Sequence, residues 1–274
     1  MPELPEVQTI VTTLRPHLRG ERILAVRLLR DDIISPPGLP LRFHLEGKSI
    51  ADVTRRGKKI IVALDGGERF YIHLGMTGRL TMEKTISPLE PHTHLVLELS
   101  GGRELRFRDP RRFGGVWWLG ANNDGDDHLG PEPLEMKWPE LAERLARTRR
   151  AVKTALLDQS LVAGLGNIYV DESLFAAGIH PLTAANRLDS TQVQKLNRAI
   201  KTVLTRALKH KGSTLRDYRN ADGAPGEFQK VHRVYDRAGK PCLKCRAAIV
   251  RIVIGGRSTH FCATCQPAVK RKRT

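Results

Sequence analysis

Directly after Met1 stand Pro2 and Glu3, in the opening run Pro2-Glu3-Leu4-Pro5-Glu6-Val7. Removal of the methionine exposes a secondary amine beside a carboxylate, a nucleophile next to a proton carrier. An α-amino group has a reference pKa of about 7.7–8.0 against about 10.4 for lysine, so roughly a tenth of it is neutral at pH 7 without tuning. The ring nitrogen of proline is somewhat more basic than that reference, yet as a secondary amine it condenses with an aldehyde carbon to an iminium. The competing reading is conformational, since proline suits the first turn of a helix.

All four cysteines fall between positions 242 and 265, as Cys242-Leu243-Lys244-Cys245 and Cys262-Ala263-Thr264-Cys265. The C-x2-C-x16-C-x2-C spacing is that of a tetrahedral Zn2+ held by four thiolates, and the clustering argues against a disulfide framework. Four thiolates fill the coordination sphere, so one structural metal per chain is expected and no organic cofactor. Between the pairs, Ile249–Ile254 and Ser258–Phe261 alternate like a hairpin with Gly255-Gly256-Arg257 at its tip. Arg257 is then a solvated turn residue or a phosphate contact, and the basic setting favours the second.

Further candidates are weaker alone. In Gly164-Leu165-Gly166-Asn167, closely spaced glycines run into a helix start, where backbone N–H groups can hold an anion. Lys58 shares a strand face with Ile60, Val62 and Leu64 by the period of two, which marks an edge lysine with its stem on apolar surface, or else a cleft lysine; the first is the default. His73-Leu74-Gly75-Met76-Thr77-Gly78 and Asp109-Pro110-Arg111-Arg112-Phe113-Gly114 are glycine-bounded turns. Met76 and Phe113 are tucked into a core there, or serve as wedges between base steps. No dinucleotide fingerprint, Walker loop, H-E-x-x-H or G-x-S-x-G occurs, so the usual cofactor and hydrolase readings have no support.

The elements that must position these residues can be read from periodicity. Val7, Ile10, Val11, Leu14 and Leu18 predict an amphipathic helix ending near Gly20, bent or shortened by Pro16. Strands are expected over 23–29, 48–64, 70–80, 94–99, 104–108 and 116–119, with antiparallel hairpins and hence a β-sandwich. Residues 121–133 read as a linker. Helices follow over 140–147, 151–157, from Asn167, and over 190–211, the last with Val193, Leu196, Ile200, Val203, Leu204 and Ala207 buried and Gly212 as its stop. Residues 213–230 lose periodicity and read as a mobile loop or a plain linker, and Lys270-Arg271-Lys272-Arg273 as a frayed tail. The domains are therefore 1–120, a linker 121–133, 134–230 and 231–274.

The net charge is +17, of which residues 131–274 contribute +15. Such asymmetry suits a polyanion, although charge alone does not separate DNA from RNA or an anionic membrane. No apolar run approaches the ~20 residues of a membrane span and no signal peptide opens the chain, so a cytoplasmic protein is expected.

With these motifs in order from end to end, adding Arg55-Arg56-Gly57-Lys58 and Gly164-Leu165-Gly166-Asn167-Ile168-Tyr169, the sequence closely resembles the bacterial formamidopyrimidine-DNA glycosylases, also called 8-oxoguanine DNA glycosylases. The resemblance implies an α+β multidomain fold: an N-terminal antiparallel β-sandwich with an N-terminal helix, a helix-two-turn-helix domain and a C-terminal β-hairpin zinc finger. It implies a monomeric, nucleoid-associated base-excision enzyme that removes oxidised purines from duplex DNA and cleaves the abasic site. Pro2 would be the Schiff-base nucleophile at C1′ and Glu3 the acid/base. Lys58 would assist at the phosphate or sugar, and Glu6 would support the lesion pocket. Met76, Arg111 and Phe113 would fill the gap left by the extruded base, with Arg111 facing the orphaned cytosine. Arg257, counted with the catalytic group, and Asn167 would hold phosphates, with Lys153 and His92 as further DNA contacts. The loop around 213–227 would close over the base; Arg216, Tyr218 and Arg219 depart from common family variants and receive no base-reading role. A sister activity on oxidised pyrimidines and a non-catalytic zinc-bearing DNA binder are the alternatives.

Overall fold

The computed structural model describes residues 2–126, 128–214, 218, 221 and 223–268; Arg216, Arg219 and the basic tail lie outside them. The chain divides into two compact units, residues 1–127 with 210–227, and residues 128–209 with 228–274.

The first unit opens with α1 (Leu4–Leu18), whose Val7, Ile10, Val11, Leu14 and Leu18 are all buried as their spacing requires. Pro16 stands in the last turn, two residues before the end, so the helix runs through it with little left to lose. Nine strands follow: β1 (Ile23–Leu28), β2 (Ile34–Ser35), β3 (Ile50–Arg56), β4 (Lys59–Leu64), β5 (Arg69–His73), β6 (Arg79–Lys84), β7 (Thr93–Leu99), β8 (Arg103–Arg108) and β9 (Gly115–Gly120), with α2 (Leu41–Leu45) between β2 and β3. They form a four-stranded sheet β1-β7-β8-β6 and a five-stranded sheet β2-β9-β5-β4-β3. All pairings are antiparallel except that of β2 with β9.

Alternation drives the layering. Phe70 and Ile72 of β5 turn inward while Arg69, Tyr71 and His73 take the other face. One apolar cluster joins Leu95, Leu97, Leu105 and Phe107 of the first sheet, Val53, Ile60, Val62, Phe70 and Val116 of the second, and Val7, Ile10 and Leu14 of α1. Each such side chain, fully buried, contributes roughly 1.5–3 kcal/mol.

The second unit holds α3 (Trp138–Ala146), α4 (Val152–Leu157), α5 (Asn167–Ala177), α6 (Ser190–Lys209) and a hairpin of β10 (Val250–Ile254) and β11 (Arg257–Phe261). A reciprocal pair starts α6: Gln192 N–H donates to Asp189 Oδ1 at 2.8 Å and Asp189 N–H to Gln192 Oε1 at 3.0 Å. Val193, Leu196, Ile200, Leu204 and Ala207 are buried, whereas Val203 is only partly so. Gly255 and Gly256 link β10 to β11 with φ of 55° and 74°, a two-residue turn closed to residues with a Cβ at low energy. Buried Glu172 of α5 accepts the backbone N–H groups of Arg233, Val234 and Tyr235, which pins the approach to the hairpin.

Several expectations shift. The stretch 48–64 is two strands broken at Gly57-Lys58, and 70–80 is likewise divided at residues 74–78. Lys58 is therefore a turn residue and not a strand-edge lysine, and it is 8 % exposed. Residues 210–227 group with the first unit rather than with the helices that precede them. The cause lies in hydrogen bonds to α1, described below. The segment from 121 is also not a free linker: Gly125 O accepts from Lys59 Nζ at 2.6 Å, and Asp126 pairs with Arg56.

Candidate active site, DNA-contact turns and metal centre

The first group of site residues is assembled by α1. Pro2 is buried, and Glu3 and Glu6 are 3 % and 2 % exposed. Glu3 and Glu6 form a capping box in which Glu3 N–H donates to Glu6 Oε2 at 2.9 Å and the Glu3 side chain accepts the Glu6 N–H. The other Glu6 oxygen accepts Ser213 N–H at 2.7 Å. Tyr218 Oη donates toward the Glu6 carbonyl at 3.3 Å, and burial followed by the nearby Glu6 charge pushes its phenol well above the ordinary range. Glu6 is thus a bracket between α1 and residues 210–227.

Lys58 is brought to the same end of α1. Near the C-terminus of the helix, Arg15 pairs with Asp52 at 2.7 Å; closer to its start, Gln8 Oε1 accepts from Arg55 Nε at 2.9 Å. Seven helical residues rise about 10 Å. Three strand residues also span about 10 Å. The two elements therefore run side by side in opposite directions, and the same rates carry Pro2-Glu3 and Gly57-Lys58 to one end. Arg55 also donates to Gly57 O at 3.0 Å, fixing the turn. Burial, then the charges of Lys58 and Lys59, hold the His73 imidazole below its ordinary range, so its Nδ1 stays available as acceptor for Gly75 N–H at 3.2 Å.

A second group lies on two turns. Met76 is 39 % and Phe113 56 % exposed, which removes the buried-core reading for both. Arg111 is also exposed, its guanidinium 4.5 Å from the centroid of the Phe113 ring. The two backbones touch: a Cβ on Gly75 would lie 2.4 Å from the Phe113 carbonyl carbon, and one on Gly114 2.3 Å from His73 O. His92, exposed and with φ of 68°, joins them, since its carbonyl accepts Asp109 N–H at 3.0 Å. Asp109, fully buried between the turns, is a residue that sequence reasoning passed over.

In the second unit the site residues converge on one carbonyl. Ser258 O accepts Lys153 Nζ at 3.0 Å and Asn167 Nδ2 at 2.9 Å. Asp171 Oδ1 stands 2.5 Å from Lys153 Nζ, and its Oδ2 accepts His260 N–H at 2.8 Å. Lys153 is fully buried and paired with Asp171, and through Ser258 O it braces the hairpin that carries Arg257. Arg257 itself is exposed. Asn167 opens α5, and Gly164 N–H is taken by Gln159 Oε1 at 2.9 Å, so the glycine loop is partly self-bonded.

The four cysteine sulfurs lie within 4.8 Å of one another, with Cys242–Cys265 at 4.0 Å and Cys245–Cys262 at 3.4 Å. Four Zn–S bonds of about 2.3 Å require S···S edges of about 3.8 Å, so the donor set fits zinc. Burial opposes ionisation of Cys242, but N–H groups of Cys245 and Lys244 bring its thiol down to about 7, whereas burial and three adjacent sulfurs push Cys265 up to about 12. A divalent cation relieves that mutual repulsion. The four thiolates would hold one structural zinc and leave no position for water.

Family models match three parts of the chain: the formamidopyrimidine-DNA glycosylase N-terminal domain over residues 1–116, the H2TH domain of the same glycosylases over 129–219, and the zinc finger found in FPG and IleRS over 239–268. The formamidopyrimidine-DNA glycosylase of Gloeobacter violaceus is 43 % identical over 98 % of this chain and 98 % of its own. That of Gluconobacter oxydans is 46 % identical over 97 % of this chain and all of its own. Among solved structures, Lactococcus lactis Fpg with abasic-site DNA superposes with a TM-score of 0.90 at 33 % identity, covering 97 % of this chain and 100 % of that one. The complex of the same protein with N7-benzyl-Fapy-dG DNA gives 0.91 at 34 %, with equal coverage.

Proposed function

Because this chain belongs to the formamidopyrimidine-DNA glycosylase family, we propose that it excises oxidised purines from duplex DNA and cleaves the resulting abasic site, with Pro2 as the nucleophile once Met1 is removed. The observation that carries the residue assignment is the junction of α1 with the β3–β4 turn, where Pro2, two buried carboxylates and buried Lys58 share one end of the helix.

The chemistry follows from those groups. The neutral Pro2 nitrogen forms a bond to C1′ of the damaged nucleotide, the C1′–base bond breaks, and its electron pair leaves on the base, which takes up a proton. Opening of the sugar ring leaves an iminium between Pro2 and C1′. That cation acidifies C2′–H, so loss of this proton expels the 3′ phosphate, and a second proton loss further along the sugar expels the 5′ phosphate. Glu3 carries protons at the sugar, with its own N–H and side chain held by Glu6. Lys58 assists at the sugar or phosphate, and Arg257 and Asn167 hold phosphates beside the lesion. Base extrusion costs a few kcal/mol and needs the vacated space filled. Met76, Arg111 and Phe113, exposed on adjoining turns with His92 beside them, suit that task. The charge of +17 supports binding to DNA, and no helix among the described residues is long and apolar enough to cross a membrane.

Borohydride reduction in the presence of duplex containing 8-oxoguanine opposite cytosine tests this reading. A covalent complex with Pro2 at its amino terminus is expected, together with loss of trapping in Pro2→Gly. A Pro2→Gly variant that traps and cleaves like wild type removes the proline assignment; trapping confined to oxidised pyrimidines in a lesion panel moves the chain to the sister specificity.

A further inference from the structure

The two turns that carry Met76, Arg111 and Phe113 are joined by a residue with no role in the chemistry above. Asp109 is fully buried, and both of its carboxylate oxygens are used. Oδ1 accepts the Thr77 hydroxyl at 2.5 Å and Arg111 N–H at 3.3 Å, and Oδ2 accepts Gly114 N–H at 2.8 Å. Its main chain adds three more bonds: N–H to His92 O at 3.0 Å, and a carbonyl that meets Arg112 N–H at 3.1 Å and His94 Nε2 at 2.8 Å. One carboxylate therefore touches the residue after Met76, the residue before Arg112 and the residue after Phe113.

Outside this hub, and among the described residues, the side chains of the Arg111–Phe113 turn have one further tether. Arg112, at a φ of 55°, reaches Asp32 Oδ2 at 2.8 Å. That pair is exposed, so it contributes little. A buried acceptor of one hydroxyl and two N–H groups is worth considerably more, because each donor loses its water on burial. The bare backbones at Gly75 and Gly114 allow an approach that leaves no room for one turn to move without the other.

We propose that Asp109 is a positioning residue that makes the Met76 and Arg111–Phe113 turns one rigid wedge, and thereby sets how strictly the protein discriminates the base opposite the lesion. This rests on the reading of Met76, Arg111 and Phe113 as the residues that fill the vacated stack. A wedge whose two halves move independently still fills space, since bulk is retained. What it loses is the fixed aim of Arg111 at the orphaned base, on which discrimination by hydrogen bonding depends.

Thr77→Val removes the hydroxyl donor at the rim of the hub, Thr77→Ser restores it, and Asp109→Asn removes the charge while keeping the shape. Single-turnover excision of 8-oxoguanine opposite cytosine and opposite adenine gives a rate ratio for each protein. Thr77→Val and Asp109→Asn are expected to lower that ratio about tenfold, the order of one lost charge-assisted hydrogen bond. Thr77→Ser should return it to the wild-type value, and in an Arg111→Ala background neither change should alter it further. Equal slowing opposite both bases, or an effect that adds fully to Arg111→Ala, overturns the proposal. Should Asp109→Asn fail to fold, Thr77→Val and its serine rescue decide alone. Absence of borohydride trapping by wild type identifies failure of the functional reading instead.

Discussion

Lys153 Nζ and Asp171 Oδ1 are 2.5 Å apart, with both side chains sealed from solvent. The lysine also donates to Ser258 O and the aspartate accepts from His260 N–H, so the pair fastens α4 and α5 to the hairpin bearing Arg257. Removing one partner of a buried ion pair leaves an uncompensated charge and costs about 3–5 kcal/mol. Lys153→Ala should therefore lower the denaturant midpoint of the second unit sharply, while Lys153→Met with Asp171→Leu recovers much of the loss. Denaturation followed by tryptophan fluorescence and circular dichroism checks this; Lys153→Ala at wild-type stability contradicts the bracing role.

Glu6 makes a second, local prediction. Its two oxygens accept the N–H groups of Glu3 and Ser213, and a glutamine offers one oxygen where two are needed. Glu6→Gln should free residues 210–227 from α1, at a cost of roughly 1–3 kcal/mol. Hydrogen exchange at the Ser213 amide should accelerate by about tenfold or more, with the sandwich strands unchanged. Unaltered protection at Ser213 would show that the segment is held by other contacts.

A pH dependence follows from His232. Burial is the main cause that brings its imidazole down to about 4 from an ordinary 6.5. Between those values the unfolded chain binds a proton that the folded one does not. The stability tied to neutral His232 is therefore complete above about pH 6.5 and declines as pH falls toward 4, by up to roughly 3 kcal/mol. Unfolding free energies at pH 7, 5.5 and 4.5 should show a smaller decline for His232→Phe than for wild type, the zinc thiolates being common to both. Parallel curves would exclude the histidine as their cause.

The cysteine cluster sets a metal stoichiometry. Elemental analysis should give one zinc per chain, and a strong chelator should weaken DNA binding before the sandwich unfolds, because the metal ties together the cysteine pairs that flank the hairpin displaying Arg257. Cys262→Ser should reproduce the chelator's effect. Fully folded, active protein with no metal would remove the centre.

How much of this was written in the chain can be judged residue by residue. The stripe of α1, the alternation in β5 and the cysteine spacing are local periodicities, so one-dimensional reading recovered the helix, the sandwich and the zinc centre. The same reading erred where the signal was a break in a period. Gly57-Lys58 interrupts an apolar run without a strong turn pair, and Lys58 passed for a strand residue. Ile34–Ser35 and Leu41–Leu45 are too short to show a period at all. The grouping of 210–227 with the first unit was equally invisible, because it rests on contacts far apart in number: Glu6 with Ser213 and Tyr218, and Ala221 in the apolar cluster.

By itself, then, the sequence determined which chemical groups are present: a proline that can become an amine terminus, paired carboxylates, four thiolates and arginines on glycine-bounded turns. Only the tertiary structure decided what each group faces. It enclosed Lys153 with Asp171, made Glu6 a bracket and gave Asp109 the hub between two turns. The physical reason is that burial and hydrogen-bond partners are set by chain segments far apart in number, and a residue's type carries no record of them.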